Sequence, residues 1–171
     1  PDYKLVVTSQ QLLMEIEDEK DNAIQRIAEL YSIRFPELES LVSNKLTYVK
    51  VVQRIGNEID VSNVQLDDII PSNIAMIVKV SASSTQGVAL KSIVLEECMY
   101  LCDDVLSLEN DKIDILHFLE SRMPFIAPNL CALIGSHVTA RLLALTGGTK
   151  ALAMIPSCNV GSIGFDKRNL H

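Results

Sequence analysis

At 171 residues, with 48% hydrophobic and 22% charged side chains, the chain has the balance of an ordered protein that buries its own core, not of a disordered segment. Seven glycines, six prolines and no tryptophan favour helix over a turn-rich β fold, and no apolar run approaches the roughly 20 residues that cross a bilayer. The formal charge is −7, yet residues 121–171 hold five basic side chains and one acid, so an acidic body precedes a small basic head, an asymmetry that directs attention to a polyanionic partner at one end.

Pro1 to Thr8, β-branched at Val6 and Val7, reads as extended chain before a helix capped at Thr8 or Ser9. No signal peptide is read at Pro1, and a start without Met reads as a piece of a longer protein. Leu12, Ile16, Ala23, Ile27 and Leu30 then form a heptad stripe with Glu19 in the missing place, and Pro36 stops or bends this helix. Glu37 to Val42 is a short helical turn. Ser43-Asn44 caps a further helix with Leu46, Val49, Val52, Ile55 and Ile59 on its apolar face, ended by Gly56-Asn57. Gln65 to Val80 is another amphipathic stretch, divided at Pro71, and Lys79 to Gly87 is the best loop.

Val94, Cys98, Leu101, Val105 and Leu108 step by four and three, a seam that Lys112, Ile115 and Leu119 continue if Asn110-Asp111 leaves the helix whole. A single apolar stripe is marginally stable alone, so Ser9–Arg34 and Ile93–Leu119 are expected to pair antiparallel. Glu120 to Gly164 holds Pro124, Pro128, Gly147-Gly148 and Pro156 among short apolar runs, and reads as a knot of short helices in which Leu130–Ile134 and Leu142–Leu145 are buried turns. This divides the chain into a helical body with its arm, 1–119, and a compact head, 120–171.

The basic side chains of the head, Arg122, Arg141, Lys150, Lys167 and Arg168, can each neutralise a phosphate. A net charge of +4 over this stretch is modest, and charge alone leaves an ordinary solvated basic surface equally open. His137, one turn before Arg141, shares its helix face. TGGTK lacks the spacing of a phosphate loop, and its glycines suit a tight helix–helix corner. Cys98, Cys102, Cys131 and Cys158 lack zinc-site spacing and read as reduced apolar packers of a cytosolic or nuclear protein. His117 and His137 have no second histidine at ligand spacing, and no nucleophile–base or paired-carboxylate arrangement can be assembled, so no catalytic residue, metal or cofactor is assigned.

Four blocks in order, YSIRFPELESLV (31–42), VSASSTQG (80–87), ESRMPFIAPNLCALIG (120–135) and TGGTKALAMIPSCNVGSIG (146–164), resemble the Nop-domain family across nearly the whole chain. The IPSCN and SSTQG stretches are more similar to its spliceosomal branch than to its small-nucleolar-RNP relatives. The resemblance implies an all-α protein with an antiparallel coiled-coil arm and a compact helical Nop module, nuclear and without a catalytic step. Its implied partners are the 5′ stem-loop of U4 snRNA, the small kink-turn-binding protein already seated on it, and other tri-snRNP proteins, with no membrane and no small-molecule substrate. Position by position it places RNA or RNP contact on Arg141, Gly147, Gly148, Asn159, Lys167 and Arg168, and the basic, helix-face reading adds His137 and Lys150. Ile113 and Met154 stand where the family has a histidine and a lysine, each the loss of a polar contact, and the chain stops short of the family's later helices and basic tail. The competing readings are a box C/D small nucleolar RNP core protein of the same family and a protein-only helical adaptor whose RNA surface has degraded.

Overall fold

The computed structural model describes residues 2–58 and 60–164, and side chains from residue 4 onward within them. Among the described residues nine α-helices follow in order: α1 (Asp2–Tyr31), α2 (Leu38–Leu41), α3 (Lys45–Ile55), α4 (Ser72–Ser84), α5 (Ser92–Ile126), α6 (Pro128–Ile134), α7 (Ser136–Thr146), α8 (Thr149–Ala153) and α9 (Ser157–Val160), with one 3-10 turn at Val61–Asn63. Among the described residues there is no strand, and the fold is all-α as expected. No single described helix is long and apolar enough to cross a membrane.

Two compact units divide the chain: Pro1–Glu17 with Asp111–His171, and Asp18–Asn110. Both long helices, α1 and α5, contribute residues to each. In the second unit Lys20 pairs with Glu109 and Arg26 with Glu97 at 3.2 Å, so partner numbers fall along α5 as they rise along α1, and the two run antiparallel there. In the first unit Glu17 pairs with Lys112, while Val6 and Leu13 share a core with Leu119, Met123, Ala127, Ala140 and Leu143.

The buried stripe of α1 corrects the one read from sequence. Val6, Gln10, Leu13, Lys20, Ile24, Ile27 and Tyr31 are buried in a four-three rhythm, with Ile16 beside it, whereas Leu12 is 44% exposed. Two polar residues in the seam shifted the apparent register: an interior lysine is admitted because Glu109 meets it. The extended amino terminus is likewise corrected. The helix is already formed at Asp2, because Val6 gains a packing partner near residue 119 that local propensity does not announce.

The second unit has the larger core, in which Ile27, Tyr31, Leu38, Val49, Val51, Val52, Leu66, Val78, Cys98, Cys102 and Val105 are all but sealed from solvent. Asn44 caps α3 by accepting from Thr47 N–H at 3.0 Å, and Gly56 (φ 52°) ends it. Ile59 lies outside the described residues. Pro71 stands directly before α4, which continues to Ser84, so the loop is 85–91 rather than 79–87. Serines 81, 83 and 84 stay helical, with the hydroxyls of Ser83 and Ser84 bonded back to Val80 O and Ser81 O. The loop closes on the end of α1: Val88 N–H donates to Ile33 O at 3.0 Å, and Thr85 Oγ1 to Glu37 Oε2 at 3.0 Å. Cys98 and Cys102, one turn apart, hold Cys102 well above the usual thiol range through their mutual hydrogen bond and burial. Cys158, by contrast, is exposed and packs nothing.

α5 runs through Asn110-Asp111 and past Pro124 to Ile126. The proline falls in the last turn, so the helix bond it removes is followed by only two more residues before the helix ends at Ile126.

Candidate nucleic-acid interface

α6 and α7 meet at Gly135 (φ 81°, ψ 158°) and bend by 119°. No side chain with a Cβ adopts that φ readily, so this single glycine sets the direction of α7. The first turn of α7 is fastened by Thr139, fully buried, whose N–H and Oγ1–H both donate to Gly135 O, at 3.1 and 2.7 Å. With Thr139, Ala140 and Leu143 facing inward, His137 and Arg141, four residues apart, stand together on the exposed face.

Gly147 (φ 81°, ψ 20°) and Gly148 (φ 120°, ψ 174°) form the corner to α8. Both N–H groups donate to Leu143 O, at 3.1 and 3.0 Å, so they are spent inside the turn, and the corner's contribution is to carry Lys150 close after Arg141's helix. Lys150 is exposed on α8, which packs against α7. Asn159 is exposed on α9, where its Oδ1 lies 3.6 Å from Cys158 Sγ; among the described residues no hydrogen bond joins it to His137, Arg141 or Lys150. Lys167 and Arg168 lie outside the described residues.

In the second unit Lys20, Arg26, Lys45 and Arg54 each face a carboxylate, whereas Lys50, Lys79 and Lys91 do not among the described residues. Arg141 and Lys150 have no ion-pair partner among the described residues, and Arg122 is 5.8 Å from the Phe118 ring centroid instead of against an acid. Exposed guanidinium and ammonium groups without counter-charges are what a phosphate backbone recruits.

One expectation fails in this region and one holds in part. Leu130–Ile134 is not buried: α6 has no buried residue, with Leu133 80% and Ile134 40% exposed, whereas in Leu142–Leu145 the side chain of Leu143 is fully buried and Leu145 is 47% exposed. A seven-residue helix held between Pro128 and Gly135 can shelter only one stripe. Phe125, 85% exposed, was passed over in the sequence; its place one residue after Pro124, out of step with Leu119, Met123 and Ala127, is the signal that it points away from the core.

A family model described as Nop, "snoRNA binding domain, fibrillarin", matches residues 12–171. The chain is 44% identical over 170 residues to the U4/U6 small nuclear ribonucleoprotein Prp31 homolog of Arabidopsis thaliana, covering 99% of this chain and 35% of that protein. It is 40% identical over 172 residues to U4/U6 small nuclear ribonucleoprotein Prp31 of Homo sapiens (99% and 34%), and 32% identical over 163 residues to Nucleolar protein 58 of Mycosarcoma maydis (95% and 28%). The chain spans about a third of the length of the curated relatives it matches.

Proposed function

The chain belongs to the Nop family, and on that premise we propose that it is the recognising part of a spliceosomal U4/U6 ribonucleoprotein scaffold, acting in the nucleus without a catalytic step. Residues 120–171 serve as the module that binds the U4 5′ stem-loop together with its kink-turn-binding protein. Residues 1–119 form the body, whose α1–α5 arm meets other tri-snRNP proteins. Contact is carried by His137, Arg141, Lys150 and Asn159, with the Gly147-Gly148 corner, and by Lys167 and Arg168. The observation that carries this reading is the pair of exposed, uncompensated cations, Arg141 and Lys150, on helices joined by that corner. Identity of 44% to the U4/U6 relative against 32% to Nucleolar protein 58 favours the spliceosomal reading over the nucleolar one.

So few cations bind naked RNA weakly at physiological salt, so the bound protein must supply the rest of the surface. A gel-shift titration of the U4 stem-loop with and without its kink-turn protein should give a complex only when that protein is present. Arg141→Ala with Lys150→Ala should weaken the ternary complex and reduce the salt slope by about one per lost phosphate contact. Folding should change by less than about 0.5 kcal/mol per exposed site. Equal affinity for naked and occupied stem-loop, or an unchanged salt titration of the double variant, would overturn the proposal and leave a protein-only adaptor.

A further inference from the structure

The second unit contains a cleft of about 530 Å³ that RNA recognition does not use. It opens between α1, α2 and the start of α3. Its floor is apolar, built from Ile24 (8% exposed), Val42 (6%) and Tyr48 (4%), and its rim carries the carboxylates of Asp21 and Glu39. Lys45 Nζ lies 2.8 Å from Asp21 Oδ1, so that acid is compensated. Glu39 has no ion-pair partner among the described residues.

Tyr48 is the second feature. It is 96% buried and lines the cleft, and its hydroxyl makes no hydrogen bond to another side chain or backbone group among the described residues, so it is available to a molecule seated there. Burial, followed by the nearby Glu39 carboxylate, pushes its ionisation upward, so at neutral pH it remains O–H and presents both a donor and an acceptor.

An apolar floor beneath an unpaired carboxylate and an available phenol matches a side chain with an apolar stem and a cationic head. Arginine fits better than lysine. Its planar fork presents several N–H donors in fixed directions, which suits a carboxylate and a phenol oxygen together better than the single point of an ammonium. The surrounding charge selects the class of partner: residues 18–110 carry fifteen acidic against eight basic side chains, which repels nucleic acid and attracts a basic protein segment. We propose that this cleft receives an arginine side chain from a basic segment of a partner protein, its stem on Ile24, Val42 and Tyr48 and its guanidinium on Glu39.

The whole chain, labelled with 15N, would be titrated with acetyl-Gly-Arg-Gly-amide up to about 20 mM, enough to detect contacts of millimolar strength. The lysine and citrulline tripeptides serve as controls. The arginine peptide should move the Glu39, Val42 and Tyr48 amides along a saturable curve, lysine should bind several-fold more weakly, and neutral citrulline should leave them still. Glu39→Gln, an exposed substitution that does not disturb folding, and Tyr48→Phe, which keeps the floor, should each weaken the arginine response by about tenfold. No saturable shift at these residues, an equal response to citrulline, or movement of the same amides by oligouridylate would each overturn the proposal. None of these readouts depends on U4 RNA, so the cleft and the basic head stand or fall separately.

Discussion

Gly87 sits where the 85–91 segment crosses the end of α1, and replacing it with alanine tests how that crossing holds the second unit together. A Cβ built there lies 1.8 Å from Arg34 O and 2.4 Å from Arg34 C, whereas ordinary contact begins at 3.4 Å, so one backbone has to retreat by about 1.6 Å. Neither side is free to do so. Arg34 is buried and its Nη2–H donates to Glu58 O at 2.7 Å. The segment is held by Val88 N–H to Ile33 O at 3.0 Å and by Asn57, whose amide spans both backbone groups of Leu90 at 2.8 and 2.9 Å. A retreat of that size breaks the Val88 bond, weakens one or both Asn57 bonds and loosens the buried Leu90. At about 1 kcal/mol for each neutral hydrogen bond, the loss is about 2–4 kcal/mol. For a protein of this size that is a fall in Tm of about 5–15 °C. Thermal denaturation followed by circular dichroism, with hydrogen exchange at the Val88 amide, reads both consequences. A melt within about 1 °C of the parent, with Val88 equally protected, would show that the clash is relieved without cost and would refute the reasoning.

Tyr31 is buried, donates to Gly56 O at 2.8 Å, and burial raises its ionisation above the usual tyrosine value. Because the folded value is the higher one, its contribution is full below about pH 10 and is lost as pH rises through and beyond that value. Unfolding by urea from pH 7 to 11 should therefore show a stability loss above about pH 10 that is shallower in Tyr31→Phe, and identical slopes would exclude this assignment. Lys20→Met should cost about 1–3 kcal/mol by stranding Glu109, less than a fully sealed pair because Glu109 is partly solvated, and adding Glu109→Gln should recover much of it; simple additivity in the double-mutant cycle would count against the pair. Val105→Asp, at a site with no exposure, should destabilise by several kcal/mol, and the half-buried Leu101→Asp by less, so equal melts for the two would contradict the burial of the α5 seam.

Local chemistry made much of this fold readable. The Asn44 cap, the stop at Gly56, the break at Pro71 and the four-three rhythm of α5 are each set by residues within one or two turns of the feature, and each stands where the sequence put it. What could not be read depends on distant partners. Val6 is helical because of Leu119 and Met123, and Lys20 enters the seam because of Glu109. In the candidate interface, the shared face of His137 and Arg141 follows from helical spacing alone. The exposure of Leu133 does not, since an apolar run looks the same whether or not a neighbouring helix covers it. Nor does the cleft that Tyr48 lines, because a tyrosine beside the apolar face of α3 reads as ordinary core.

The first unit is interrupted in sequence: its first segment, Pro1–Glu17, is separated from the rest by the whole of Asp18–Asn110. During synthesis, Val6 and Leu13 leave the ribosome long before Leu119 and Met123 exist to cover them. At about 5–20 residues per second that delay is roughly 5 to 20 seconds, far longer than the microsecond formation of the helix itself. The nascent chain thus carries an uncovered apolar stretch, without the partner that makes it helical, through the folding of its second unit. Binding of a chaperone to residues 1–20 should be transient and should end when translation passes α5.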